Sequence, residues 1–441
     1  MAWFDPDSLQ ADVRPREVWS WAGYDFANSG YTTVVLTAVF NAYFVGVVAG
    51  GADWATLAWT LTLATSNLLG IALMPAIGAA ADLHASKKRW LFAATVVCVL
   101  ATAGLAMVGP GDLLLAAVLV VVSNFAFNAG VSLNSAFLPE LARPGSLGKV
   151  SGWGWAFGYL GGLVTLGLCL AWVLRGQAAG EAAAHIVPPT MLIVAVMYAL
   201  AAAPMFLFVR ERAVAVSDAP LSAVLRESHL RLVGTLRSLP RFRDFAWLAA
   251  CGVLYQAGIA VVIALAAIYA QQVMGFDTAR TMMLILVVNV TAAAGAFAFG
   301  YVQDALGHKR ALALTIALWI AMVLCASLAV SAPLFWFAAN LAGLAMGASQ
   351  SAGRAMVGVF APRARLAEFY GFWNVAVWVA AILGPVTYGL VTWLTGNNQR
   401  LAILVTGLFF VAGLLALIPV NVGRGQAAAA AADAEGAPLP H

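Results

Sequence analysis

Charge is what this sequence has least of. Asp, Glu, Lys and Arg make up 10% of its 441 residues and apolar side chains 63%, whereas a soluble globular chain is about a quarter charged and about half apolar. A water-soluble core does not account for that balance. Cysteine is scarce as well: Cys98, Cys169, Cys251 and Cys325 stand far apart inside apolar runs, without His at metal-ligand spacing. That argues against a disulfide framework or a zinc site and leaves them as small apolar residues. The five His residues form no cluster, so neither a metal nor a cofactor is expected. The net charge of +4 is not gathered into a basic surface, which argues against nucleic acid as a partner. Asp5 and Asp7 stand where a cleavable export signal has a basic start, so the first apolar run is expected to act as the insertion signal.

Long apolar runs, by contrast, fill the chain. They lie near 19–46, 54–80, 88–108, 112–138, 150–174, 187–209, 245–271, 278–303, 311–331, 333–360, 369–395 and 400–420. At about 1.5 Å rise per residue, roughly 20 residues cross a hydrocarbon layer of roughly 30 Å, so each run is a span. The segments between them sort by charge. If the N-terminus is inside, about twenty of the 23 Lys and Arg fall on the inner side, and Arg175, Arg280 and Arg400 fall outside. Cationic loops are retained on the cytoplasmic side, which predicts a multi-pass protein of the inner (cytoplasmic) membrane with both termini cytoplasmic.

The two halves repeat. Gly78, Asp82 and Lys88 recur as Gly300, Asp304 and Arg310, each displaced by 222 positions (300 − 78 = 304 − 82 = 310 − 88). Pro139 and Gly152 have counterparts in Pro362 and Gly371 with a small drift. The predicted fold class is an all-α membrane protein of twelve transmembrane helices in two pseudo-symmetric six-helix lobes, a known transporter plan with the substrate site between the repeats. The predicted units are a cytoplasmic segment 1–18, lobes 19–209 and 244–421, a polar linker 210–243 and a tail 422–441. Leu221, Val224, Leu225, Leu232 and Leu236 give part of the linker an amphipathic pattern, read as a tethering surface helix. The Ala-rich tail is expected to be disordered or weakly helical.

Three blocks carry a family resemblance. The stretch Trp21-Ala-Gly-Tyr24-Asp25-Phe26-Ala27-Asn28-Ser29 resembles the opening signature of the unknown major facilitator family, which is related to autophagy-linked vacuolar amino-acid effluxers. Asn134 to Ala142 running on to Ser151-Gly152-Trp153-Gly154 and Gly158 to Gly162 resembles the same family, as does Gln350 to Arg354 running on to Glu368 to Trp373. The loop signature of the wider superfamily is present in degraded form: Leu83 and Ala85 replace its usual Arg and Gly, and Ala305 the Arg of the second copy. A weaker latch is expected from those losses. The resemblance implies the major facilitator fold and a solute transporter, with amino acids or similar small organic solutes first in line.

Ionisable residues inside spans are costly unless they face water or a partner, which makes the few present the sharpest site candidates. Asp25, Asn28 and Thr32 share one face of the first helix. A carboxylate held partly out of water can bind and release a proton near neutral pH, so Asp25 is a candidate for proton or cation coupling; simple hydrogen bonding to its neighbours is the alternative. Arg354 shares a face with Gly343, Gly347 and Gln350. It can hold a substrate carboxylate by paired, charge-assisted hydrogen bonds, or form an ion pair with Asp25, Glu140 or Glu368. Glu140 and Glu368 are further coupling candidates, with solvated helix-end carboxylates as the alternative. Asp82 and Asp304 are gate candidates, because a carboxylate set against a neighbouring helix N-terminus gains from its dipole.

Asn124 and Asn128 make a polar stripe that lines a cavity or bonds helix to helix. Trp155, Tyr159, Tyr255, Gln256, Asn289, Asn374 and Trp378 complete a candidate substrate cavity, with ordinary packing as the alternative for each aromatic. The glycines from Gly152 to Gly162 are read as a close-packing face and not as a phosphate loop, since no strand precedes them. Taken together, the reading is a monomeric secondary active transporter that moves a small-molecule substrate across the lipid bilayer by alternating access, coupled to protons or another ion. The alternatives are a proton-antiport exporter of drugs or metabolites and a non-transporting receptor of the same fold. An enzyme would need a nucleophile, base or metal constellation at an aqueous face, and none is visible. A channel would favour a continuous polar pore.

Overall fold

A computed structural model of the chain describes residues 6–52, 54–215, 241–276, 278–396 and 398–436. The amphipathic stretch predicted from Leu221 to Leu236 lies outside the described residues. Among those described, twelve helices are long and apolar enough to cross a membrane: α1 (Pro15–Val48), α2 (Ala58–Leu83), α3 (Lys87–Met107), α4 (Leu113–Leu141), α5 (Pro144–Ala178), α6 (Ala183–Phe208), α7 (Arg243–Ile263), α8 (Met283–Leu306), α9 (His308–Leu328), α10 (Ala332–Phe360), α11 (Arg363–Thr392) and α12 (Gln399–Leu417). A thirteenth, α13, covers Val422–Gly436. Helices satisfy their own backbone polar groups, which is the condition for crossing lipid.

The core is mostly apolar, as in a soluble protein, but the exposed surface is apolar as well. Leu100, Leu200, Val386 and Leu408 are 63–66% exposed, while Asp25, Asn28, Asn124, Gln256 and Arg354 are buried. An apolar outer surface, with the few polar side chains turned inward, suits lipid as solvent.

The first six spans pack as one lobe and the last six as another, and the lobes meet along two helix pairs, α2 against α11 and α5 against α8. The ends where alternate connections carry Lys87, Arg143, Arg210, Arg243, Lys309 and Arg363 form one basic end of the bundle. There each lobe is tied to itself in the same way. In the first lobe Glu17 of α1 accepts the Arg210 N–H at 3.2 Å and pairs with Arg212 at 3.1 Å. In the second, Asp244 of α7 accepts the Asn421 N–H at 2.7 Å and pairs with Arg424 at 2.7 Å. Lys88 Nζ donates to the Val209 carbonyl at 2.6 Å, and Lys309 Nζ to those of Ile418 and Val420 at 2.7 Å. Lysine ammonium groups on the last carbonyls of α6 and α12 satisfy orphan acceptors and oppose the helix dipole. First and sixth helix of each lobe are therefore fastened together, which lets the lobe move as a unit.

Where the sequence suggested a disordered or weakly helical tail, α13 forms and docks. Arg424 and Asp244 hold one end, Glu435 and Arg241 pair at 2.7 Å near the other, and Gly425 lies against Phe360. The Arg241 guanidinium beside Glu435 holds that carboxyl below its usual range.

The turn between α2 and α3 explains one departure from the superfamily signature. Ala85 has φ 45°, and Gly307, 222 positions on, has φ 87°. Both copies need the left-handed region, which glycine adopts freely and alanine only with strain. Ala85→Gly relieves about 1–2 kcal/mol of that strain and adds about 0.4–1 kcal/mol of unfolded-chain entropy. The variant is expected to unfold at a higher temperature than the wild type, by a net margin of up to about 1.6 kcal/mol. An equal or lower midpoint in a thermal melt would contradict the strain.

Candidate functional site

Asp25 and Arg354 find each other across the two lobes. Arg354 Nη1 donates to Asp25 Oδ2 at 2.6 Å, with Arg354 5% and Asp25 9% exposed. The pair is one of the two outcomes the sequence left open for Arg354. Around it, Arg354 Nη2 donates to the Ser151 carbonyl at 2.7 Å and Nε to Ser151 Oγ at 3.1 Å. Asn134 Nδ2 donates to Asp25 Oδ1 at 3.1 Å, and Trp21 Nε1 donates to the Asn134 carbonyl at 2.8 Å. The guanidinium lies 4.7 Å from the Trp21 ring and 5.3 Å from that of Trp155, within cation–π range. Gly154 makes room: a Cβ there would stand 2.5 Å from Asp25 Oδ2 and 2.6 Å from Arg354 Nη2. Three of the five guanidinium donors are engaged among the described residues, which leaves two for another oxyanion.

Asp82 and Asp304 form a matched pair of latches. Asp82 at the end of α2 accepts the N–H groups of Ala367 and Glu368 at 3.1 and 3.0 Å, in the first turn of the helix that opens at Leu366. Asp304 at the end of α8 accepts those of Gly148 and Lys149, each at 2.9 Å, in the first turn of the helix that opens at Leu147. Each carboxylate caps a helix of the opposite lobe, where orphan N–H groups and the positive dipole end favour it. Gly78 and Gly300, the other repeated residues, let the backbones touch: a Cβ would stand 2.6 Å from the Ala367 carbonyl and 2.7 Å from that of Gly148. The substitutions at Leu83, Ala85 and Ala305 leave these carboxylate contacts formed. The lobe-to-lobe bonds named so far, with Ser151 Oγ on the Ser351 carbonyl at 2.9 Å, lie in the basic half of the bundle.

The remaining candidates separate. Asn28 accepts from the Tyr198 hydroxyl at 2.7 Å, Asn124 donates to Ser66 at 3.0 Å, and Gln256 and Gln350 bond each other at 3.0 Å, all within one lobe. Thr32 and Asn289 bond carbonyls one turn back on their own helices. Trp155 and Tyr159 are half-buried with ring centroids 5.9 Å apart, and Asn128 and Asn374 are half-buried too. Tyr255 packs against Trp373 within its lobe, and Trp378 lies on Gly70 of the opposite lobe. Glu140 pairs with buried Lys87 and accepts the Arg212 N–H at 2.8 Å, and Glu368 pairs with Arg365 at 2.7 Å, so both acids are occupied at the basic end. Beside them Glu211 caps α3 through the Lys87 and Lys88 N–H groups, and burial pushes its carboxyl above the usual range. Two cavities are described, of about 580 Å³ between α1, α5 and α6 and about 270 Å³ between α8 and α10; each belongs to a single lobe.

Sequence reasoning did not assign Ser151, Asn134, Trp21 and Tyr370, whose hydroxyl donates to the Arg354 carbonyl at 2.9 Å. Two signals were available: Trp21 precedes Asp25 by four residues and so shares its helix face, and all four residues stand in the blocks that carry the family resemblance.

Known proteins resemble the chain over nearly its full length. The profile of a family described as vacuole effluxer Atg22 like matches residues 45–430. An uncharacterised MFS-type transporter of Bacillus subtilis, YxiO, is 26% identical over 410 residues, spanning 91% of this chain and 94% of its own. Among solved structures, the human organic anion transporter MFSD10 superposes with a TM-score of 0.72 at 16% identity, covering 92% of this chain and 100% of its own. The proton:xylose symporter XylE gives 0.71 at 14% identity, covering 90% and 94%. FucP, solved in the outward conformation, gives 0.70 at 15% identity, covering 91% and 97%. At these identities the solved structures speak for the fold, and the profile for the family. A twelve-span bundle whose lobes latch by repeated aspartates is thus a transporter of the major facilitator superfamily, and the chain belongs to its Atg22-like family.

Proposed function

We propose that this transporter carries a small anionic or zwitterionic organic solute, amino acids first, across the inner membrane by alternating access coupled to protons, with Asp25 and Arg354 as its switch. The observation that carries the reading is that one buried ion pair also joins the lobes. A substrate carboxylate can take Asp25's place on Arg354, using guanidinium donors that the protein leaves open. The displaced Asp25 then takes a proton, and the lobes lose their central bond. Trp155, with its ring 5.3 Å from the guanidinium, is the first substrate contact in this reading, with Tyr159 beside it as a second; Asn128, Asn28 and Gln350 with Gln256 are assigned to the walls further out. The effluxer description of the family favours a second reading for direction, export by proton antiport.

A thermal-shift screen of amino acids and organic acids identifies the solute for transport assays in proteoliposomes. Arg354→Gln removes a charged hydrogen-bond donor of about 1.5–3 kcal/mol, so KM for a carboxylate solute should rise roughly 10- to 100-fold. Asp25→Asn should keep exchange of labelled for unlabelled solute and lose accumulation driven by a pH gradient. Wild-type accumulation and pH dependence in Asp25→Asn would remove the coupling role.

The same reading makes Asp82 and Asp304 the gate of the basic end. Asp82→Asn retains the shape and loses the charge on the α11 N-terminus, at about 1–2 kcal/mol. A cysteine at Ala367, buried in that seam, should then react with maleimide from the basic side on the order of tenfold faster. Asp304→Asn should act in the same direction. An unchanged labelling rate in both would show that the carboxylates do not hold the gate.

The distribution of the cations supports an orientation with the basic end and both termini in the cytoplasm. An impermeant maleimide added to intact cells should label a cysteine at Glu181 and reach one at Gln426 only after permeabilisation. The reverse pattern would invert the topology.

A further inference from the structure

The cleft between α1, α5 and α6 has no part in the switch, yet it has the features of a binding site. We propose that it holds one anionic phospholipid, with the phosphate on Arg16 and an acyl chain in the groove below.

The cleft is an open groove with a volume of about 580 Å³, within the roughly 300–1,000 Å³ typical of small-molecule sites. Its walls are aromatic: Trp19 meets Phe157 edge to face at 5.4 Å, and Phe26 lies 5.3 Å from the same Phe157 ring. Gly23 packs directly on the Ala201 carbonyl, where a Cβ would stand 2.9 Å away, so the close approach of α1 and α6 forms the floor of the groove. At the mouth, the Arg16 guanidinium lies 4.2 Å over the Phe208 ring. Arg16 is the second residue of α1 and Phe26 is ten residues further in. At about 1.5 Å per residue the lining therefore runs from the membrane surface to roughly half the depth of a 30 Å hydrocarbon layer. That is the reach of a lipid tail from one leaflet, and neither a soluble solute nor a second protein copy requires it.

Charge selects the headgroup. Arg16 is exposed and, among the described residues, has no carboxylate partner. The acids beside it are taken: Glu17 and Asp12 both pair with Arg212, at 3.1 and 2.7 Å. Arg210, whose N–H rests on Glu17 at 3.2 Å, is exposed as well and adds positive charge at the same surface. A cation over an apolar slot at the membrane surface attracts an anionic lipid more than a zwitterionic one.

Native mass spectrometry of the detergent-purified full chain tests this with phosphatidylglycerol and phosphatidylcholine of identical tails. The wild type should bind phosphatidylglycerol on the order of tenfold more tightly, the size expected for one charge-assisted contact. Arg16→Gln should abolish that preference, whereas Arg14→Gln, an exposed cation outside the cleft, should keep it. Ala201→Leu, which fills the groove, should weaken binding of both lipids; a monodisperse elution profile shows that each variant is folded. Equal binding of the two lipids by the wild type, a preference that survives Arg16→Gln, or an equal loss in Arg14→Gln overturns the headgroup assignment. Unchanged binding in folded Ala201→Leu overturns the groove.

Discussion

A carboxylate inside a membrane bundle must meet an opposite charge or several hydrogen-bond donors, and here the three most buried aspartates of the seam meet theirs in the other lobe. Asp82 reaches the first turn of α11, Asp304 the first turn of α5, and Asp25 the guanidinium on α10. The closed basic end follows from that constraint. Lobes cannot part there without exposing three carboxylates and their donors together, and each lobe is already fastened internally by Glu17 with Arg212 or Asp244 with Arg424. Freedom is left at the seam between lobes, where a rocking carrier needs it.

Symmetry divides these contacts into two kinds. The latches repeat: Gly148 and Lys149 in one copy correspond to Ala367 and Glu368 in the other, each 219 positions on (367 − 148 = 368 − 149), and each pair occupies the same place in its helix. The central ion pair does not repeat. The counterparts of α1 and α10 are α7 and α4, and neither carries an Asp, Glu, Lys or Arg between Asp244 and Ile263 or between Leu113 and Pro139. Repeated contacts fit the mechanics that both lobes share, and a contact made once fits chemistry that only one substrate site needs.

What was legible in the sequence was whatever has a local signal. Span lengths, the basic ends, the repeat and the placing of Asp82 and Asp304 against helix N-termini were all readable, because each is a pattern within a few residues or a motif copied once. The partners were less so. Asp25 and Arg354 are 329 residues apart, and composition offers several acids to one arginine; geometry made the selection. Glu140 and Glu368 had looked equally eligible and are taken by Lys87 and Arg365. Asn28 on the first helix and Asn124 on the fourth bond within their own lobe, which periodicity alone could not separate from a cavity wall. The α13 helix was hidden for a different reason: its alanines say little about packing, and Asp244, which anchors it, lies 180 residues away from Arg424.

The proposed cycle rests on an inequality between the two kinds of contact. When the basic end opens, the latch aspartates and the helix N-termini face water, so much of what is lost is regained by hydration and the opening costs only a few kcal/mol. Arg354 sits between two tryptophan rings instead, and a buried guanidinium without an anion costs about 3–5 kcal/mol. On the proposed reading, that position must always be filled, by a substrate carboxylate or by ionised Asp25. An empty carrier therefore returns with Asp25 deprotonated and paired, a loaded one crosses with Asp25 free to hold a proton, and the penalty on the unpaired arginine is what ties solute movement to proton movement.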